Sequence, residues 1–120
     1  MVRTLHVYLQ QNLVGQLEQD HSGAMRFRYD DAWLSKKSAV SLSHSLPLRP
    51  ERFSRNECRP FFAGLLPEGD SRKLIAKSFG VSDRNDFALL EKIGAECAGA
   101  VSLLWPNETP NVDLGNLVQG

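Results

Sequence analysis

The sequence predicts an α+β domain, a small twisted antiparallel sheet with a partly barrel-like meander, covered by about three helices. Three observations predict it. Apolar and polar residues alternate through residues 1–30, residues 54–94 carry helix caps and helix stops, and a short apolar run near Val101 closes the pattern. Strands gathered at one end of a chain and helices after them suit segregated layers, whereas a parallel sheet needs the two to alternate.

Leu5, Val7 and Leu9 alternate with His6, Tyr8 and Gln10, the period of a strand with one buried face. After the polar Gln10-Gln11-Asn12, Leu13 to Leu17 reads as the returning arm of a hairpin. His21-Ser22-Gly23 marks a second turn, and Met25, Phe27 and Tyr29 alternate with Arg26 and Arg28 in a third strand. Asp30-Asp31-Ala32-Trp33-Leu34 reads as a short helical turn, because an Asp carboxylate accepts the orphan backbone N–H groups of a helix start. Val40, Leu42, Leu46 and Leu48 fall on alternate positions and predict a fourth strand, with Pro47 at its edge or exit. His44 lies on the apolar register of that strand, which predicts a partly buried, hydrogen-bonded histidine.

The polar stretch 49–56 is a loop. Ser54 to Glu57 matches a capping box, with Asn56 as a rival cap that would bring Pro60 nearer the first turn, where a missing N–H costs less. The helix so capped is expected to run to about Leu66, stopped by Pro67 and Gly69. A second helix is expected over about Asp70 to Phe79, with Gly80 as its left-handed cap. A third is expected from Ser82 or Asp83 to Gly94, presenting Phe87, Leu90 and Ile93 on one face with Leu89 beside them. Ala100 to Trp105 is the closing strand. Residues 1–105 are the expected domain and 106–120 a polar tail or linker.

At 120 residues the chain suits one domain. Lys plus Arg number 14 and Asp plus Glu number 14, so a strong sequence-independent hold on nucleic acid by the whole chain is not expected, although a local basic patch is compatible with that balance. No apolar run approaches the length of a membrane span, and the first residues alternate at once without a signal region, so a cytoplasmic location is expected. Cys58 and Cys97 stand far apart without C-x-x-C spacing and read as reduced, partly buried thiols.

Catalytic motifs fail on inspection. Gly94 to Gly99 has the glycine spacing of a phosphate loop but is followed by Ala100-Val101, which supply neither the cation nor the hydroxyl that such a loop needs, so it reads as a small-residue turn. Asp86-Phe87 is followed by Ala88 inside a helical pattern; Asp86 is a first-turn acid and Phe87 a core residue. Glu68 and Asp70 flank Gly69 at a helix start, where negative charge is favoured, and read as capping acids more than as an acid–base pair. His6, His21 and His44 are scattered without metal-ligand spacing. Catalytic residues, a metal and a cofactor are therefore not expected.

Interaction is the remaining reading. Phe61, Phe62, Leu65 and Leu66 put apolar side chains on more than one helical face, which requires deep burial or cover by a partner. With Pro67 and Glu68 of the following turn, and Trp105 at the end of the last strand, they form the candidate partner-binding set.

Several landmarks carry a family resemblance: Tyr29-Asp30 with Trp33-Leu34, Ser41-Leu42-Ser43 leading to Ser45-Leu46-Pro47-Leu48, Phe61-Phe62 with Leu65-Leu66-Pro67-Glu68-Gly69, Asp86 to Leu90, Ile93-Gly94, and Gly99-Ala100-Val101. In this order they resemble the N-terminal subdomain 1 of HipA-type serine/threonine kinases of bacterial toxin–antitoxin systems. His44 departs from the apolar residue usual in that family, and Cys97 falls in a variable stretch. The resemblance implies a subdomain that precedes a kinase body and performs no phosphoryl transfer itself. Two readings follow from it. One is a HipS-like, separately encoded antitoxin that neutralises a shorter HipT-like kinase, with a HipB-like DNA-binding antitoxin as a further partner. The other is the N-terminal piece of a full-length HipA-type kinase.

Overall fold

A computed structural model describes residues 3–94 and 101–108. The expectations placed on Cys97, on the turn over 95–100 and on most of the polar tail lie outside the described residues.

Three strands form where the alternation predicts them. Strand β1 is Arg3–Leu9, β2 is Asn12–Gln19 and β3 is Met25–Tyr29. Strand β4, Val101–Leu104, returns to pair antiparallel with β1, so the sheet order is β3-β2-β1-β4. The chain is therefore α+β as expected, but the four-stranded sheet is open: β3 and β4 end it on opposite sides and do not close a barrel. Leu5 faces Leu17, Leu17 faces Phe27, and Val7 faces Leu103, which brings the buried alternates of all four strands together.

The register slips between Val7 and Tyr8, because Val7 pairs with Gly15 and Tyr8 with Leu13, leaving Val14 as the extra residue of a bulge. Gly15 sits at this slip with Tyr29 on its other side. A Cβ there would lie 2.3 Å from the Arg28 carbonyl oxygen and 2.7 Å from the Phe27 ring, so close approach of β3 requires glycine.

Four helices follow β3 among the described residues, the first a single turn. Helix α1 is Asp31–Leu34, and the Ala32 N–H donates to Asp30 Oδ2 at 3.1 Å, the predicted cap. Helix α2 is Arg55–Ala63, α3 is Gly69–Phe79 and α4 is Asp86–Ile93. Ser54, not Asn56, caps α2, and its backbone N–H donates to Glu57 Oε1 at 2.9 Å. That choice puts Pro60 in the helix interior. The helix stops at Ala63, short of the expected Leu66, and the chain tightens to three-residue spacing, with Leu65 N–H on the Phe62 carbonyl and Leu66 N–H on the Ala63 carbonyl.

Helix α4 also starts later than expected. Ser82 and Asp83 belong to a turn, in which the Ser82 hydroxyl accepts from Arg84 N–H. Asn85 is the cap, accepting from Ala88 N–H at 3.0 Å. Helix α3 ends on Gly80 at φ +69°, as predicted.

The fourth strand expected over Val40 to Leu48 does not form. Leu46 is buried while Val40 and Leu48 are exposed, so the alternate residues do not share a face. Serine side chains compete for the backbone here: Ser43 Oγ accepts from Ser45 N–H at 3.2 Å, inside a turn closed by a Ser43–Leu46 bridge. His44 is consequently exposed, not partly buried in a strand. The β3 edge is met by Phe53, which exchanges backbone hydrogen bonds with Phe27 at 2.7 and 3.2 Å.

Phe27 is the hub of the core. Its ring centroid lies 4.9 Å from Tyr29, 5.3 Å from Phe62 and 6.0 Å from Phe53. Leu5, Val7, Leu17, Trp33, Phe87, Leu89, Leu90 and Leu103 belong to the same cluster.

Candidate interaction surface

The segment α2–turn–α3 divides its apolar residues between inside and outside. Phe62 and Leu66 are buried in the core, and Phe61 stands edge-on to Phe62 with centroids 5.1 Å apart. Burying a side chain of this size is worth roughly 1.5–3 kcal/mol, so those two residues serve the fold. Phe61, Leu65 and Pro67 are half-buried, and Glu68 is exposed. The dense apolar run therefore shows Phe61, Leu65 and Pro67 in part at the surface, with the small Ala63 among them.

Glu68 occupies the N-cap position of α3, but its side chain makes no cap hydrogen bond. Asp70 lies in the first turn, where its charge opposes the positive end of the helix. Gly69 turns the chain at φ +61°, a region that L side chains seldom enter.

Helix α3 adds apolar surface that sequence periodicity did not single out. Leu74 is 67% exposed and Phe79 47% exposed, while Ile75 and Ala76 face the core. The amphipathic pattern of α3 is incomplete, and the signal for this surface was two large apolar residues outside its Ile75–Ala76 face.

Trp105 is 38% exposed directly after β4. The Arg3 guanidinium sits 6.0 Å from its ring and 5.9 Å from the Phe87 ring, and also pairs with the nearly buried Glu91 carboxylate. A β-turn follows, with Glu108 N–H on the Trp105 carbonyl at 2.9 Å and Trp105 N–H on Glu108 Oε1 at 3.1 Å.

One buried charge cluster was not visible in the spacing. Asp86 is only 6% exposed. Arg59 Nε donates to its Oδ2 at 2.7 Å, Arg72 pairs with its Oδ1, and Arg72 Nε donates to the Asp83 carbonyl at 2.6 Å. The three side chains come from α2, α3 and α4, separated by 27 and 14 residues, so no local motif announces them. Asp86 lies in the first turn of α4 and Phe87 in the core, as the sequence predicts.

Cys58 is fully buried, with Sγ 3.7 Å from the Met25 carbonyl, and burial pushes its thiol up to about 11, so it is protonated at neutral pH. Among the described residues, no group of three His, Cys, Asp or Glu could hold a metal ion. Also among them, no helix is long and apolar enough to cross a membrane.

Known proteins are similar to this chain in sequence and fold. Residues 5–104 match the family described as HipA N-terminal domain. The chain is 48% identical over 116 residues to the putative kinase Y4mE of Sinorhizobium fredii, an alignment that takes in 97% of this chain and 27% of that protein. It is 29% identical over 103 residues to an uncharacterized protein of Haemophilus influenzae, covering 86% of this chain and 92% of the other. Among solved structures it resembles a chain of the Shewanella oneidensis HipA, HipB and operator DNA complex, with TM-score 0.75, 30% identity, and coverage of 87% of this chain and 24% of that one. The chain thus spans about a quarter of the length of Y4mE and of the Shewanella chain, and nearly all of the Haemophilus protein.

Proposed function

This chain belongs to the HipA N-terminal domain family, and from that premise we propose that it is a non-catalytic docking protein that binds a separately encoded HipA-type serine/threonine kinase and neutralises it. It acts as the antitoxin component of a tripartite system, in which a HipB-like DNA-binding protein joins the same complex. The observation that carries this reading is the pair of coverages. The same domain aligns with about a quarter of a putative kinase and with 92% of an uncharacterized Haemophilus protein, which supports a role for it in a polypeptide of its own.

The proposed contact surface is the outward part of the predicted set, Phe61, Leu65, Pro67, Glu68 and Trp105, joined by Leu74 and Phe79 of α3. Phe62 and Leu66 support it from inside. Half-buried and exposed apolar groups of this kind gain most when a partner removes them from water.

The test is co-expression with a HipA-type kinase encoded beside it. The expected results are a complex that survives gel filtration at micromolar concentration and recovery of growth from the toxin. Absence of both sinks the proposal.

A second reading is favoured by the 48% identity to Y4mE over 27% of that protein's length: the domain would be the N-terminal subdomain of a full-length kinase. An in-frame kinase body encoded beyond Gly120 would decide for it.

A further inference from the structure

A cleft of about 370 Å³ opens between the β2–β3 turn and the starts of α2 and α4. Its charge is one-sided. Arg55, Arg59 and Arg84 line it, and the acid among its lining residues is Asp86, already engaged by Arg59 and Arg72. Among the described residues, the guanidinium groups of Arg55 and Arg84 have no ion-pair or hydrogen-bond partner. Arg59 uses Nε on Asp86, which holds the guanidinium plane and leaves its two terminal nitrogens without a partner.

The neutral lining supports the same polarity. Ser82 and Asn85 edge the cleft at the start of α4, and Arg55 is the first residue of α2, so the positive ends of two helices lie at its rim. The chain as a whole is neutral, with 14 basic and 14 acidic residues, so this concentration of unopposed cations is local. Holding several like charges together without counter-charge is costly unless something supplies it.

We propose that this cleft is an anion-binding site for a dianionic phosphate monoester group. A lone carboxylate would satisfy one guanidinium; three guanidinium groups match a dianion with three terminal oxygens, which accept forked N–H pairs from more than one side. Asp86 is a positioning residue here, because it orients Arg59 and touches no ligand. The site is separate from the apolar surface proposed for the kinase body, and the inference does not rest on that proposal.

Binding to the purified chain is measured by titration calorimetry at constant ionic strength, using inorganic phosphate, a phosphoserine peptide and its unphosphorylated form. Saturable binding of phosphate or phosphopeptide is expected. The double variant Arg55→Gln/Arg84→Gln, which alters two exposed side chains, is expected to weaken it about tenfold or more. Arg26→Gln, outside the cleft and paired with Asp20, is expected to leave it unchanged. Tighter binding of the phosphopeptide assigns the group to a protein side chain, and equal binding assigns it to free phosphate; both support the site. Three outcomes overturn it: no saturable binding up to about 1 mM, binding that the double variant leaves intact, or displacement by duplex DNA at equal phosphate concentration, which would point to a nucleic-acid backbone instead.

Discussion

Arg59 Nε donates to Asp86 Oδ2 at 2.7 Å, tying α2 to α4, while the other Asp86 oxygen is taken by Arg72 of α3. One carboxylate therefore fastens three helices. Arg72 is mostly buried and Arg59 about half exposed, so the two arms are not equal. Removing one partner from a buried pair costs about 3–5 kcal/mol, and solvent at Arg59 reduces that. Asp86→Ala is expected to lower stability by about 2–3 kcal/mol, and Arg59→Ala by about 1 kcal/mol or less. Urea unfolding of both variants checks this. An Asp86→Ala chain as stable as the parent would show that the triad contributes nothing net.

Alkaline pH supplies a second prediction. Burial raises the Cys58 thiol from its ordinary 9.0 to about 11, and burial raises the Tyr29 phenol as well. The unfolded chain therefore releases these protons at lower pH than the folded one. For Cys58 the stabilisation is complete below about pH 9 and is lost as pH rises towards 11, by up to about 3 kcal/mol. Tyr29 adds a loss in the same direction above its ordinary 10.0. Melting temperature is expected to fall steeply between pH 9 and 11, and the fall is expected to be shallower in Cys58→Ala at matched starting stability. Equal slopes in the two proteins would remove Cys58 from the account.

Tyr29 organises the loop where the expected fourth strand is missing. Its hydroxyl donates to the Leu46 carbonyl and accepts from Leu42 N–H at 2.9 Å. Trp33 Nε1–H donates to the Val40 carbonyl at 3.1 Å nearby. Side chains thus satisfy backbone groups that a strand would have given to a neighbour. Tyr29→Phe removes the hydroxyl and leaves buried polar groups without it, at an expected cost of about 1–3 kcal/mol. Limited proteolysis is expected to cut the variant within residues 38–50 faster than the parent.

That loop also marks how far local pattern reaches. The strands at Leu5–Leu9 and Met25–Tyr29 were legible because alternation coincides with burial at Leu5, Val7, Met25, Phe27 and Tyr29, and Leu13–Leu17 because it follows a polar turn. Asp30 and Gly80 were legible because a cap acts on its own neighbours. Val40 to Leu48 alternates equally well, but its fate was set by Tyr29, whose partners are 13 and 17 residues away. The β1–β4 pairing and the Arg59–Asp86–Arg72 cluster are likewise products of tertiary contact. The apolar density at Phe61 to Leu66 does not say which side chains turn inward; Phe27, 35 positions before Phe62, makes that choice. The exposed Leu74 and Phe79 leave no mark in the caps of α3, which carry its sequence signal, and show only on its faces.

The proposed kinase-binding surface can be separated from the core by paired substitutions. Leu74 is 67% exposed and touches little of its own chain, so Leu74→Arg is expected to shift stability by less than about 0.5 kcal/mol. Leu65→Arg moves a half-buried side chain and is expected to cost somewhat more while the fold persists. Phe62→Ala, by contrast, opens a cavity beside Phe27 and is expected to cost about 3–5 kcal/mol. If the surface meets a partner, a buried arginine without a counter-charge at position 65 or 74 weakens the complex at least about tenfold, although the variants melt close to the parent. Trp105→Ala tests another member of the proposed set, where loss of the ring removes one Arg3 contact and leaves those to Phe87 and Glu91. Pull-down affinity and melting temperature are measured on the same preparations. Arginine variants that hold the kinase as tightly as the parent place the contact elsewhere on the domain, because their folded state is established independently by the melt.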